Sequence, residues 1–161
     1  MSPMPSHPMP APFSAAPWAG PPDWSAPLAH AKAAHRDGQL LTAMSFYRQA
    51  LARARQALGS PLPGVAEAAV GALASGSEGL AVLNEEQDRP DLAVQVLSAL
   101  HETLLAMVRD DAPGTPRRRA ALWHSQCSHG ALVALAEAYG WSPEVEAAVR
   151  SGCMGFTPLR R

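Results

Sequence analysis

Apolar residues along this chain recur at steps of three and four, which is the spacing of one face of an α-helix. The clearest case is the segment from Gln39 to Leu58, with apolar positions at Leu40, Met44, Tyr47, Leu51, Ala54 and Leu58. Similar steps run from Asp91 to Asp110, at Ala93, Leu97, Leu100, Leu104 and Met107. Since no stretch alternates apolar and polar residues as a strand would, the pattern predicts an all-α protein.

Capping and helix-breaking residues divide the periodic stretches into six predicted helices. Ser25 and Ser142 are expected to cap the first and last of them, and Gly140 and Gly152 to end the last two. The predicted bounds are 25–36, 39–58, 65–87, 91–110, 117–139 and 143–151. The intervening turns are short, which favours antiparallel pairs of neighbouring helices.

The third predicted helix carries three internal glycines, Gly71, Gly76 and Gly79. Each costs up to about 1 kcal/mol relative to alanine in a helix interior. The glycines therefore indicate either close approach of a neighbouring helix or a break into two shorter helices, and we favour close approach.

Both ends of the chain differ from its middle. Residues 1–22 hold eight of the sixteen prolines and no Lys, Arg, Asp or Glu, which predicts a disordered tail. The tail contains a minimal PxxP motif from Pro5 to Pro8. The predicted domains are the proline-rich tail 1–22, a helical domain 23–152 and a loose C-terminal tail 153–161.

Composition narrows the class of protein. The 161 residues are 47% hydrophobic, enough for one buried core, and their formal net charge of −1 argues against a nonspecific nucleic-acid binder. Two cysteines are too few for the disulfide framework of a small secreted domain. Neither a signal peptide nor a run of 18 apolar residues is recognisable, so we expect a cytoplasmic protein without a membrane partner.

An internal repeat connects the second and fourth predicted helices. The motif Ala43-x-x-x-Tyr47-x-x-Ala50 recurs fifty residues later as Ala93-x-x-x-Leu97-x-x-Leu100. Its spacing resembles the second helix of a tetratricopeptide repeat, and Leu135-Ala136-x-x-Tyr139 resembles the first. The early tryptophan and the closing proline of that motif are absent, and fifty residues exceed the common repeat of about 34. A plain helical bundle stays an alternative to a short tetratricopeptide-like solenoid.

The resemblance implies a scaffold, adaptor or chaperone, as in small bacterial secretion chaperones, that binds a peptide or protein segment on the concave side of its stacked helices. In relatives that grip a peptide carboxylate, basic residues of the first helices project into the groove, and the mixed charges here depart from that all-basic pattern. The positions that correspond here, and are predicted to bind a partner, are Lys32, His35, Arg36, Glu78, Glu85 and Glu86. Such a groove would be basic at one end and acidic at the other.

Two alternatives to a partner-binding protein come from other residue clusters. His124, Cys127 and Cys153 suit copper or zinc, but His129 points away from His124 and Cys127 on an ideal helix, and Cys127 is better explained as a small buried residue. Arg117 to Arg119 suit an acidic partner or RNA, although such a run is usually solvated. His101 and Glu102 are expected to be ordinary surface residues. No catalytic motif is present, so we predict no enzyme, no cofactor and no metal.

Overall fold

The computed structural model describes residues 23–155, with side chains described as far as Gly152. Its six helices are α1 (Ser25–Arg36), α2 (Leu40–Ala57), α3 (Val65–Glu86), α4 (Pro90–Asp110), α5 (Pro116–Tyr139) and α6 (Pro143–Gly155). No strand occurs in this part of the chain, so the predicted all-α class is confirmed. The first five helices match their predicted bounds to within one residue at each end. The predicted tail 1–22 and residues 156–161 lie outside the described residues.

Neighbouring helices pack against each other along the whole described chain. They form three antiparallel pairs, α1 with α2, α3 with α4 and α5 with α6. Between pairs, α3 contacts both α1 and α5, and α4 contacts α6. The first helices of successive pairs therefore lie side by side, as in a stack of helix pairs.

The repeated motif residues form the centre of these contacts. All six side chains named in the two copies of the motif are buried, and Ala43, Ala50 and Ala93 have no exposed surface. Around them lie Leu73, Leu83, Leu104 and Leu132, each at most 2% exposed. Small residues let the helix backbones approach, and the leucines fill the remaining space.

Helix α3 is continuous through its three glycines, and close approach is confirmed at Gly76 and Gly79 but not at Gly71. A Cβ atom at Gly79 would lie 2.3 Å from Cζ of Tyr47, and one at Gly76 would lie 2.9 Å from Cδ2 of Leu51. Helix α2 thus packs directly on the backbone of α3. Packing against α2 offsets the low helix propensity of this sequence.

The helix ends agree with most of the predicted signals. Gly38 has φ of +71°, and its N–H donates to the carbonyl of His35 at the end of α1. The Ser142 hydroxyl accepts from the N–H of Val145, as a helix cap does. The predicted cap at Ser25 is wrong, because α1 already includes Ser25 and Trp24 occupies the cap position.

The predicted stop at Gly152 is also wrong, because α6 continues to Gly155. Gly152 is buried, and a Cβ atom there would lie 2.6 Å from Nε2 of His101 and 2.8 Å from Nδ1 of His129. The glycine therefore serves the contact of α6 with α4 and α5 and does not terminate the helix.

Among the described helices, α4 alone is long and apolar enough to cross a membrane by length and composition. Core helices of water-soluble proteins pass the same test. The buried side of α4, with Leu97, Leu100 and Leu104, packs in the core described above.

Candidate functional site

A solvent-facing groove of about 390 Å³ lies where the exposed sides of α3 and α5 meet. Its lining residues are Glu78, Ala81, Val82, Glu85, Leu97, Ala131, Ala134, Leu135 and Ala138. Seven of these nine side chains are apolar, and the other two are carboxylates. An apolar floor with a few polar groups at its edge is typical of a site that binds another molecule.

Helix periodicity explains how each wall is built. On α3, Glu78, Val82 and Glu85 are four and three residues apart, so they share one side of the helix. On α5, Ala131, Ala134 and Ala138 follow the same spacing, and their small side chains leave the groove open. Leu97 of α4 reaches the floor between the two helices. The groove therefore depends on the third helix pair lying beside the second.

The structure brings Glu78 and Glu85 together in this groove, two of the six residues predicted to bind a partner. Glu78 is exposed and Glu85 is half-buried. Lys32 and Arg36 are exposed on α1 and are not among the residues that line the groove. The predicted partner-binding set thus divides into two groove residues, two exposed residues of α1, and the pair His35 and Glu86 at the α1–α3 contact.

Glu86 of α3 and His35 of α1 contact each other at the α1–α3 contact. Nε2 of His35 lies 3.0 and 2.9 Å from the two carboxylate oxygens of Glu86, which links α1 to α3. Burial, and secondly the nearby Glu86 carboxylate, raises the pKa of Tyr47 on α2. Glu86 therefore links α3 to α1 through His35, and its carboxylate is less available to a partner than those of Glu78 and Glu85.

A second groove, also of about 390 Å³, lies between the N-terminal ends of α4 and α6. Asp91, Glu144 and the half-exposed Tyr139 line it, together with Pro90, Val94, Gln95, Gly140, Ser142 and Val145. The backbone N–H of Glu144 itself, and then the Ser142 hydroxyl, lower the pKa of the Glu144 carboxyl. The start of α6 therefore stabilises the negative charge of Glu144, which gives this residue a structural role. Sequence reasoning did not find this groove.

His101 is fully buried, so its expected surface position is wrong. Its Nδ1 lies 2.8 Å from Oγ of Ser128, and that hydroxyl donates to the carbonyl of Ser125. Because the Ser128 proton is used there, Nδ1 of His101 carries the hydrogen and donates. Nε2 of His101 and Nδ1 of His129 are buried without a hydrogen-bond partner among the described residues. Burial, and secondly His129, lowers the pKa of His101.

The spacing of three and four residues is the signal that reveals this position. His101 follows Leu97 by four residues and precedes Leu104 by three, and both leucines are buried. A histidine in line with core leucines lies on the core side of the helix. The adjacent pair His101 and Glu102 does not show this relation, because neighbouring residues face different directions on a helix.

Cys127 is exposed, which corrects its expected burial, and Trp123 is 65% exposed beside it. The α5 side chains that are buried include Ser125, Ser128 and Leu132 instead. No group of three or more possible metal ligands occurs among the described residues. The side chain of Cys153 lies outside them, so the alternative site at His124, Cys127 and Cys153 is not assembled by any described contact.

All three side chains of the arginine run donate hydrogen bonds within the protein. Arg117 and Arg118 are half-buried, which corrects their expected solvation, whereas Arg119 is exposed as expected. Arg117 forms a bidentate ion pair with Asp111 and donates to the carbonyl of Leu58 at 2.8 Å. Arg118 donates to the carbonyl of Val108 at 2.8 Å, and Arg119 to that of Gly114 at 3.1 Å. The Arg117 guanidinium lowers the pKa of Asp111. These contacts tie the start of α5 to α2, to the C-terminal end of α4 and to the connecting loop.

The fold and the groove define an all-α protein of stacked helix pairs with an apolar, acidic-edged surface groove. Residues 22–157 match a protein family of unknown function, DUF2753, and the chain belongs to that family. No curated protein and no solved structure matches the chain.

Proposed function

We propose that this chain is a tetratricopeptide-like interaction module that binds a peptide or partner segment in the groove between α3 and α5. The supporting observation is the apolar groove of about 390 Å³ whose edge carries the carboxylates of Glu78 and Glu85. We further propose that the protein acts as an adaptor, scaffold or chaperone in the cytoplasm and has no catalysis of its own.

Burial of the repeated motif supports the tetratricopeptide-like part of this proposal. The small residue at each first motif position, Ala43 and Ala93, is fully buried between helices. Ala148 on α6, the second helix of the third pair, is also buried, at 2% exposed. The side-by-side packing of α1, α3 and α5 is also the arrangement in which first helices line the concave side of a repeat stack.

Filling the groove with neutral side chains tests the proposed function. Ala134 and Ala138 are exposed on α5, so Ala134→Gln with Ala138→Gln narrows the groove without changing the charge or the core. Peptides selected from a random displayed library against the full chain are expected to lose at least about tenfold in affinity for this variant. Fluorescence anisotropy measures that loss.

The matched control places the same two substitutions on second helices of the pairs. Ala52 of α2 and Ala147 of α6 are exposed and do not line the groove. Ala52→Gln with Ala147→Gln should bind the selected peptides as the natural sequence does. The proposal fails if no selected peptide distinguishes the two double variants.

A further inference from the structure

The carboxylates of the groove are arranged at a fixed helical spacing. Glu78 and Glu85 are seven residues apart on α3, which corresponds to two turns and about 10.5 Å along the helix. Val82, between them, is 44% exposed. None of the nine lining residues is Lys or Arg.

The net charge of α3 and α4 has the same sign, whereas the arginines of α5 lie at its start, 12 or more residues before Ala131. Residues 65–111, which include α3 and α4, carry nine acidic and two basic residues. A cleft with one sign of charge and low-dielectric walls concentrates its field on a ligand of the opposite sign. The groove is therefore complementary to a cation that also has apolar surface.

The groove walls also restrict the backbone conformation of a ligand. Both walls are α-helices, whose interior N–H and C=O groups already bond to each other. An extended peptide would find no main-chain partners here, whereas a helical ligand satisfies its own backbone groups.

We infer that the occupant of this groove is a cationic amphipathic helix, with apolar residues on the side that meets Val82, Ala134 and Ala138, and with Arg or Lys residues seven apart that meet Glu78 and Glu85. This inference rests on the proposed function and specifies its ligand. Residues 1–22 of this chain contain no Lys or Arg, so the proline-rich tail lacks the required charge.

Three synthetic fluorescent peptides test the inference with the full chain. The first is a designed amphipathic helix with Leu on one side and Arg at positions seven apart, the second replaces those Arg with Glu, and the third scrambles the first. We expect the first peptide to bind at least about tenfold more tightly than the other two at low salt. Each exposed ion pair contributes up to about fivefold, so the preference should shrink as salt is added.

Charge reversal locates the binding. Glu78→Lys with Glu85→Lys should weaken the Arg peptide by at least about tenfold and strengthen the Glu peptide. The control, Glu67→Lys with Glu102→Lys, changes the net charge equally at two exposed carboxylates that do not line the groove, and should alter affinity by less than about threefold.

Three peptide-binding results would each overturn the inference. They are equal effects of the two charge reversals, equal binding of the scrambled peptide, and selected library peptides that depend on Ala134 and Ala138 but carry no basic residues. The last result would leave the proposed function intact and reject only the cationic ligand. Binding of a second copy of this chain in the groove would appear in analytical ultracentrifugation without peptide, as a mass that rises with protein concentration. That result would also overturn the inference.

Discussion

The buried imidazole of His101 gives one residue a measurable effect on stability. Its Nδ1–H donates to Ser128, while Nε2 faces His129 and Gly152 without a partner. A proton on Nε2 would introduce a charge into this buried site close to a second imidazole. The helix interface therefore favours neutral His101, although the nearby Ser125 carbonyl partly opposes that preference.

We expect the protein to lose stability as pH falls below about 6.5, the pKa of an unperturbed histidine. Since the folded-state pKa of His101 is lowered, the unfolded chain takes up the proton first. The contribution of neutral His101 to the free energy of unfolding is fully present above about pH 6.5. It declines as the pH falls, until the pH reaches the folded-state pKa of His101. For one such group the decline is at most about 1.4 kcal/mol per pH unit. Urea unfolding at pH 7.5 and 5.5 measures it.

Two variants separate His101 from the other histidines in this experiment. His101→Gln keeps a side-chain donor near Ser128 but does not titrate, so the difference in unfolding free energy between the two pH values should shrink. His30 is exposed, and His30→Gln should leave that difference unchanged. Equal pH dependence in both variants would show that His101 is not responsible.

At the scale of the helices, the glycines of α3 have different roles. Gly79 lies at the contact with α2, and Gly71 faces α5. A Cβ at Gly79 would overlap the Tyr47 ring at 2.3 Å, whereas one at Gly71 would lie 3.8 Å from Nε2 of His124, an ordinary contact. Both residues are interior to α3, where alanine has the higher helix propensity. Substitution with alanine thus changes helix propensity equally at Gly71 and Gly79, but it changes the packing at the two positions very differently.

Gly79→Ala should destabilise the protein by about 1–3 kcal/mol, because the overpacked Tyr47 ring must move. Gly71→Ala should stabilise it by about 0.5–1 kcal/mol through helix propensity. Urea midpoints at constant m-value measure both effects. Destabilisation by Gly71→Ala equal to that by Gly79→Ala would mean that propensity and backbone packing do not explain the glycines of α3.

The helix bounds could be predicted because long apolar repeats and strong breakers such as Pro90 and Gly140 act locally. The end of α6 could not, since Gly152 resembles a helix stop although its role is to admit the imidazoles of α4 and α5. In α5 the buried side includes Ser125 and Ser128, so the apolar pattern is weak there and wrongly predicts that the exposed Cys127 is buried.

The candidate site was predictable only on one wall. Glu78 and Glu85 are charged residues on the exposed side of α3, and charge marks a surface position well. Ala131, Ala134 and Ala138 were missed because alanine is as common in a helix core as on a helix surface. Their role depends on how α5 lies against α3, and that contact involves residues about fifty positions apart.

At the scale of the whole molecule, α6 is the last of the described helices, and only two other helices hold it. It packs only on α4 and α5, and its described buried residues are Val145, Ala148 and Gly152. Helix α4, by contrast, contacts α3, α5 and α6. In a stack of helix pairs each unit is stabilised mainly by its neighbours, so a terminal helix opens at a lower free energy than the rest.

Native-state hydrogen exchange should therefore show that α6 amides exchange faster than those of α4. The opening free energy of α6 should lie well below the free energy of global unfolding. Gly152→Ala would push a Cβ atom against His101 and His129, and should speed exchange in α6 at least about tenfold while α1 and α2 change little. Gly130→Ala is the matched control, because a Cβ there meets nothing within 4 Å. Uniform acceleration across all helices in Gly152→Ala would show that α6 unfolds only together with the remainder of the stack.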